Sequence, residues 1–309
     1  MTPERFTRLE TGELFLMHDT GPGPNRILVF TTTTLLGLLS DSPAWCMDGT
    51  FNIAPPLFHQ LYSIHGTSRG ITIPMVFALL PSKTQECYER LFNILKDLQP
   101  DLHPRSIMTD FELAVIQAVR TTFQDANISG CFFHLAQCLW RKVQAHGYVD
   151  LYREDDGEFV TWLRCLPALT FVPEDDVIES FEALTQNDHF TRIVADRAPE
   201  LVDYYEDTWL GRPHRRRAGG RRAPPFPISL WNVKDRVTQG LGRTNNAVEG
   251  WHHKMNKLVG VRAPNLFVLI KDLMKEHELN RNLIEQMIAG HEPPAKKANT
   301  SRSTVAFVR

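Results

Sequence analysis

The sequence lacks several features that would restrict its function at once. No apolar run approaches the roughly 18 residues of a membrane span, and the N-terminus MTPERFTRLE is too polar for a signal peptide. The net charge of -2 supplies no global positive field, so any nucleic-acid surface must be local. The five cysteines are odd in number and unevenly spaced, which is typical of a reducing compartment. We therefore expect a cytosolic or nuclear protein that does not contact a membrane.

The segment between residues 41 and 147 has the pattern of a mixed α/β fold. Three strand-like runs, AWCMDGTF, QLYSIHGTS and ITIPMVFALLP, follow closely on one another, which favours antiparallel pairing. Two further strands, RSIMTD and NISGCFF, then alternate with amphipathic helices. The pattern predicts a mixed sheet of three antiparallel strands and then two further strands, flanked by helices.

The other segments differ from this part in composition. Residues 148–235 are helical by pattern but interrupted by prolines, which predicts an all-helical insertion with the exposed loop GRPHRRRAGGRRAPPFP. Residues 236–285 contain the helix TNNAVEGWHHKMNKLVG and return to the core. Residues 286–309 are too polar to pack and are expected to be disordered. Residues 1–40 form a separate N-terminal segment, and the length of 309 residues suits one large domain with an insertion, or two domains.

Two aspartates interrupt strand-like apolar runs and are the first candidates for chemistry. Asp48 lies in CMDGTF and Asp110 in RSIMTD. An ionised carboxylate in an apolar interior is strongly destabilising unless a cation meets it. Two carboxylates on neighbouring strands could share a divalent ion, and Mg²⁺ suits such oxygen ligands. Asp110 alone is also explained as an N-cap of the following helix, an explanation that is weaker for Asp48 with Gly49 behind it.

Glu249 is a third candidate carboxylate, and two explanations fit it. Asn246 and Glu249 have the spacing of a capping box, with Asn as the N-cap residue. Alternatively, Glu249, His252, His253 and Asn256 share one polar helix face and converge on a site. The pattern alone supports the two explanations equally.

A cysteine and histidine group lies in the run CFFHLAQC. Cys131, His134 and Cys138 are separated by three and four residues, a spacing that can bind zinc. Four ligands are normally required, however, and no clear second pair follows within a finger-like distance. A helix face near the edge of the sheet is the simpler explanation, so Zn²⁺ is the less favoured cofactor.

The arginine-rich loop has two explanations as well. Gly and Pro indicate an exposed loop, which could be merely solvated or serve as a nuclear-targeting signal. It could also contact DNA, because arginine clusters supply much of the non-specific affinity for phosphates. The arginines of this loop are Arg212, Arg215, Arg216, Arg217, Arg221 and Arg222.

Taken together, these motifs resemble the transposase domain of Mutator-like elements, a branch of the DDE transposases with an RNase H-like core. The family pattern is an aspartate in a D-G-T-F strand, a second in T-D-x-E, a C-x-x-H step, a long helical insertion and an N-N-x-x-E-x-x-H helix. This chain has MDGTF, TDFE, CFFH and TNNAVEGWH in the same order. Each motif alone is weak, whereas five matching steps in order are a specific signal. The resemblance covers roughly residues 40–285.

The resemblance implies DNA strand cleavage and strand transfer that depend on two Mg²⁺ or Mn²⁺ ions, which activate first a water and then a DNA 3′-hydroxyl. The implied catalytic and metal-binding residues are Asp48, Asp110 and Glu249. The residues implied to support the site are Cys131, His134, Asn245, Asn246 and His252. The residues implied to contact DNA are the six loop arginines, Lys254 and Lys257. The expected partners are transposon-end and target DNA and a second copy of the chain, in the nucleus.

The chain departs from the family in one respect. Such transposases usually carry a separate N-terminal zinc-binding DNA reader, and the residues before Asp48 lack the cysteines and histidines for one. One alternative is therefore a host-recruited, inactive nuclear protein that binds DNA or proteins, although the intact acidic triad favours an enzyme. Another is a nuclease of the same fold acting on RNA in hybrids, which the insertion and the late position of Glu249 disfavour.

Overall fold

The computed structural model of the chain describes residues 2–68, 71–153, 157–187, 197–214, 220–239 and 242–291. These residues divide into two compact units. The first unit comprises the described residues of 1–128 and 245–297, and the second comprises those of 129–244. None of the five cysteines is in a disulfide. Within the described ranges, no helix combines the length and the apolar character that a membrane span requires.

The described strands form one seven-stranded mixed sheet in the order β1-β2-β5-β4-β3-β6-β7. Strands β3, β4 and β5 pair antiparallel, and β6 runs parallel to β3. The predicted mixed sheet, with three antiparallel strands followed by two further strands and flanked by helices, is confirmed. The strands are β1 (Leu16–Asp19), β2 (Leu28–Phe30), β3 (Ala44–Thr50), β4 (Gln60–Ser68), β5 (Ile71–Leu80), β6 (Ser106–Thr109) and β7 (Asn127–Gly130).

Strands β1 and β2 extend this sheet within the N-terminal segment, where no strand was predicted. Strand β2 has only three residues, all fully buried, and it pairs antiparallel with β5. A strand buried on both faces has no polar alternation, so its sequence carries no period-2 signal. Arg26, two residues before β2, forms an ion pair of 2.5 Å with Asp19 at the end of β1, and this hydrogen-bonded guanidinium lowers the pKa of Asp19.

Three helices of the first unit precede or follow the central strands: α1 (Thr33–Ser40), α2 (Gln85–Leu98) and α3 (Leu113–Thr122). Thr32 caps α1 and Thr84 caps α2, because each side chain accepts a hydrogen bond from a backbone N–H of the first turn. Helix α2 buries Cys87, Leu91 and Leu95 against the sheet, as the spacing of its apolar residues predicted.

Two longer helices complete the first unit: α11 (Asn246–Val259) and α12 (Leu266–Ile288). Trp251 of α11 stacks on Phe77 of β5 with ring centroids 5.5 Å apart, and Met255 packs in the same apolar cluster as α12. Helix α12 extends three residues into the range predicted as a disordered tail, because Met287 is buried. The rest of that predicted tail, from residue 292, lies outside the described residues.

The second unit is largely helical, as the pattern of residues 148–235 indicated. Its aromatic core includes Phe181 stacked on Tyr205, whose hydroxyl donates to the carbonyl of Leu166 at 2.9 Å. Its helices are α4 (Phe132–Ala145), α5 (Val149–Arg153), α6 (Glu158–Ala168), α7 (Val177–Gln186), α8 (Pro199–Tyr205), α9 (Ile228–Trp231) and α10 (Lys234–Thr238).

Candidate active site

The two candidate aspartates lie side by side in the first unit. The parallel register of β3 and β6 pairs Cys46 with Met108. Asp48 and Asp110 each follow these partners by two residues, so they lie at the same height on neighbouring chains. The Asp48 side chain is only 12% exposed, and Gly49 N–H donates to its Oδ1 at 2.7 Å. The sheet topology therefore explains how residues far apart in sequence reach one place.

Helix α11 brings Glu249 to the same edge of the sheet. Buried Asn245, just before the helix, donates from its side-chain amide to the carbonyl of Met47 at 3.4 Å. Two residues after Glu249, Trp251 packs on Phe77 and also contacts the ring of His65 edge-on. These contacts anchor the helix on both sides of Glu249, next to the strand that carries Asp48. Asn246, a predicted supporting residue, is exposed at the first helical position.

Burial raises the pKa values of all three carboxylates, and neighbouring negative charges add to the shifts of Asp48 and Asp110. Burial, together with the charges of Asp110 and Glu249, raises the pKa of Asp48 to about 8. Burial and the charge of Glu112 raise the pKa of Asp110 to about 6, and burial raises the pKa of Glu249 to about 7. Such a group is stabilised by a cation. The three side chains offer oxygen donors, the type that Mg²⁺ and Mn²⁺ take, and so fit the implied ions.

The alternative explanations of Asp110 and Glu249 as parts of helix caps are wrong. The N-cap of α3 is Glu112, two residues after Asp110. The N-cap of α11 is Asn245 rather than Asn246, and no side-chain capping bond forms at that position. Neither carboxylate therefore caps its helix as the local capping pattern predicted.

A polar chain connects Asp48 to the interior of the sheet through His252, a predicted supporting residue. His252 Nδ1 lies 3.6 Å from Asp48 Oδ2, and His252 Nε2 lies 3.4 Å from Ser63 Oγ. Ser63 Oγ lies 2.9 Å from Nε2 of His65, whose complete burial lowers its pKa well below the usual value, so its imidazole stays neutral. No role was predicted for Ser63 and His65. The sequence feature that could have identified them is their spacing of two residues in an otherwise apolar strand, which places both side chains on one face.

Glu112 is a third residue near the site for which the sequence predicted no role. It accepts a hydrogen bond of 2.7 Å from the hydroxyl of Tyr88 and forms an ion pair of 2.5 Å with Lys83. The Tyr88 hydroxyl in turn accepts a 2.8 Å bond from the side-chain amide of Gln60. Glu112 raises the pKa of Asp110 and Lys83 lowers it. This network therefore affects whether Asp110 is ionised near neutral pH. Its sequence signal was the glutamate of the TDFE motif.

The Gly49→Ala substitution is expected to destabilise the protein by about 1–3 kcal/mol, because it overpacks the site. A Cβ at Gly49 would lie 2.1 Å from Oε1 of Gln60. The Gln60 side chain is buried and bonded to Tyr88, so it cannot move away without breaking that bond. Gly37→Ala is the matched control: its Cβ meets nothing within 4 Å, and alanine favours the helix by up to about 1 kcal/mol. Urea unfolding measures both, and equal stability of the two variants contradicts the prediction.

Cys131, His134 and Cys138 belong to the second unit. Buried Cys131 is the N-cap residue of α4, and the other two lie on that helix. Burial, with a contribution from Arg141, lowers the pKa of His134 to about 4. A neutral imidazole follows from this shift near pH 7. The site-supporting and zinc-binding roles of these residues stay predictions.

Two of the six loop arginines form ion pairs within the second unit. Arg212 pairs with Asp203 at 3.0 Å, and Arg221 pairs with Glu182 at 3.0 Å. Such pairing reduces the charge that these side chains offer to phosphate. Arg222 is exposed. The other three arginines, Arg215, Arg216 and Arg217, lie outside the described residues. Contact of this loop with DNA stays a prediction.

The two lysines predicted to contact DNA differ in their surroundings. Lys254 of α11 forms an ion pair of 2.6 Å with Glu276, a nearly fully buried carboxylate of α12 that also accepts a bond from Trp251. Lys257 of the same helix is exposed. The pairing indicates that Lys254 helps to hold α11 on α12, whereas Lys257 is accessible to a ligand.

The comparison with protein families gives one finding. Residues 44–138 match the family model of the MULE transposase domain. The matched segment contains Asp48, Asp110, Cys131 and His134, and it ends before Glu249. No curated protein matches the sequence. The resemblance inferred from the motifs is therefore confirmed over residues 44–138, the segment in which this chain matches the MULE transposase domain.

Proposed function

We propose that this chain is the catalytic part of a DDE-type transposase that cuts and joins DNA strands with divalent metal ions. The observation that carries the proposal is that Asp48 and Asp110 lie side by side at the ends of neighbouring strands, with Glu249 near enough for its charge to act on Asp48, whose pKa is raised by burial, by Asp110 and by Glu249. The match of residues 44–138 to the MULE transposase domain supports a transposase-related function. The order of the three carboxylates along the chain is also that of the family.

The three carboxylates would hold Mg²⁺ or Mn²⁺, which when bound polarises the attacking and leaving oxygens of a displacement at phosphorus. The surrounding residues orient the carboxylates. The Gly49 N–H fixes Oδ1 of Asp48, and His252 faces Oδ2. The Asn245 amide and the Trp251 ring hold the start of α11, so that Glu249 keeps its position. Burial excludes water and strengthens every charge interaction in the site.

The partners of this reaction are part of the same proposal. The substrate would be DNA of the transposon ends and of the target, and a second copy of the chain would take part. The nucleus, where a eukaryotic element meets its target, is the proposed site of action. The match to the MULE transposase domain supports DNA as the partner in general.

Incubation of the purified full chain with supercoiled plasmid DNA tests the proposal. Nicked and linear products are expected with Mg²⁺ or Mn²⁺ and not with EDTA, because the carboxylates bind DNA oxygens only through a cation. Equal nicking with and without metal contradicts the proposal. Salt-sensitive DNA binding without any metal-dependent nicking would instead support the inactive, host-recruited protein. An RNA–DNA hybrid of the same sequence separates a transposase from a hybrid-specific nuclease.

A further inference from the structure

We propose that a cleft beside the C-terminal end of α11 binds a backbone phosphate of the DNA strand that enters the acidic site. The cleft has a volume of about 510 Å³, and it is lined by Asn52, His253, Asn256, Gly260, Val261 and Arg262. All of these residues belong to the first unit. The inference rests on the proposed function, since it adds a binding site for the same substrate.

The position of the cleft relates it to the three carboxylates. His253, Asn256 and Gly260 follow Glu249 by four, seven and eleven residues, so they continue the same face of α11. At 1.5 Å per residue, Asn256 lies about 10 Å and Gly260 about 16 Å beyond Glu249 along the helix axis. Asn52 follows Asp48 in the segment after β3. The cleft is therefore lined by residues that follow Asp48 and Glu249 along the chain. Its distance from Glu249 corresponds to about three to five nucleotides of one DNA strand, at roughly 3.4 Å per phosphate charge.

The side chains of the cleft suit a phosphate. No carboxylate lines it, although Glu249 lies on the same helix. Arg262 is exposed and has no ion pair within the described parts of the chain, in contrast to Lys254. Asn256 donates one amide N–H to the carbonyl of His252 at 2.8 Å, which leaves its second N–H for a ligand. Arginine and amide donors are the groups that most often bind DNA phosphates.

The backbone keeps the cleft open before any ligand binds. Ala263, next to Arg262, has a φ of 47°, and among the described residues it is the one non-glycine residue with a positive φ. Such a conformation costs about 1 kcal/mol and persists only where the surroundings hold it. Here the Ala263 N–H donates to the carbonyl of Asn52 at 2.8 Å and joins the loop after α11 to the segment after β3. A preformed cleft binds its ligand with less loss of entropy.

The Arg262→Gln substitution tests the cleft without any requirement for catalysis. The affinity of the full chain for a fluorescein-labelled DNA duplex with a single-stranded end is measured by anisotropy at several salt concentrations, in EDTA. We expect Arg262→Gln to weaken binding and to reduce the slope of log affinity against log salt by about 0.7–0.9, the effect of one lost phosphate contact. The matched control is Arg120→Gln in the last turn of α3, which removes another exposed arginine and should leave the slope unchanged.

The same proteins are then assayed for nicking with Mn²⁺, which separates the two proposals. If Arg262→Gln reduces the slope of log affinity against log salt but no protein nicks DNA, the result supports phosphate binding in the cleft and contradicts the proposed catalytic function. If the wild type, Arg262→Gln and Arg120→Gln all nick DNA and have the same salt slope, the result supports the catalytic function and overturns the proposal that the cleft binds a phosphate. A wild-type chain that does not bind the labelled DNA overturns the cleft as well.

Discussion

The free energy of unfolding of the metal-free protein is expected to decrease as the pH rises from about 4 to about 8, and Asp48→Asn is expected to remove roughly half of that decrease. The cause is the pKa of Asp48, which burial and the nearby charge of Asp110 raise from 3.8 to about 8. Asp110 and Glu249, whose pKa values are raised to about 6 and about 7, act in the same direction. A stability that falls in this range is unusual, since most proteins are most stable near neutral pH.

The direction follows from the protons bound in each state. Unfolded chains release the Asp48 proton near pH 3.8, whereas the folded protein retains it up to about pH 8. Between these values the folded state binds more protons, so a rise in pH favours unfolding. One pKa unit corresponds to about 1.4 kcal/mol, and the total effect is therefore on the order of several kcal/mol.

Urea unfolding in EDTA at a series of pH values measures this effect. Asp48→Asn keeps the shape of the side chain and removes its charge, so the variant should exceed the wild type in stability by a margin that grows with pH. Asp41→Asn, at an exposed position after α1, is the matched control and should follow the wild type. Mn²⁺ should stabilise the wild type at pH 8 and Asp48→Asn much less, because the cation offsets the carboxylate charge. Parallel pH curves for the wild type and Asp48→Asn would show that Asp48 is not the buried acid described.

The sequence predicted those parts of the fold whose signal is local and strong. Strands β3 to β5 and helix α2 have clear apolar periods, and Asp48 stands out because a charge in an apolar strand needs a reason. Strand β2 was not predicted, since three fully buried residues have no period. Its place is set by pairing with β5, a contact that no local pattern reports.

In the candidate site, too, the sequence predicted the residues that have a local signal and not those whose contacts form only in the folded chain. Asp48, Asp110 and Glu249 were predicted because the family motifs mark them. Their environment was not predicted, since it depends on neighbours from other strands. Ser63 gains its contact with His252 only when β4 pairs with β3 and α11 packs on the sheet. The capping pattern was also misleading at α11: the helix begins one residue earlier than the predicted capping box requires, and the Asn245 amide donates to the carbonyl of Met47, a partner from another element.

Glu249→Gln is expected to reduce metal-dependent DNA cleavage by at least about a hundredfold and to leave DNA affinity within about twofold. Glutamine has nearly the size of glutamate, and the contacts that hold α11 come from Asn245 and Trp251, so the helix should keep its place. The lost charge weakens metal binding and charge stabilisation in the transition state by several kcal/mol, and each 1.4 kcal/mol is a factor of ten in rate. Single-turnover cleavage with Mn²⁺ and anisotropy in EDTA measure the two quantities.

Two controls distinguish a catalytic cause of the reduced cleavage by Glu249→Gln from misfolding of the variant. Glu10→Gln removes an exposed carboxylate of the N-terminal segment and should cleave as the wild type does. The metal-free Glu249→Gln protein should also be more stable than the wild type above pH 7, because burial raises the pKa of Glu249 to about 7 and the substitution removes a buried charge. Lower cleavage together with higher stability cannot come from misfolding, and it therefore identifies Glu249 as part of the reacting site. Cleavage near the wild-type rate would leave Asp48 and Asp110 without their third carboxylate and contradict the DDE assignment.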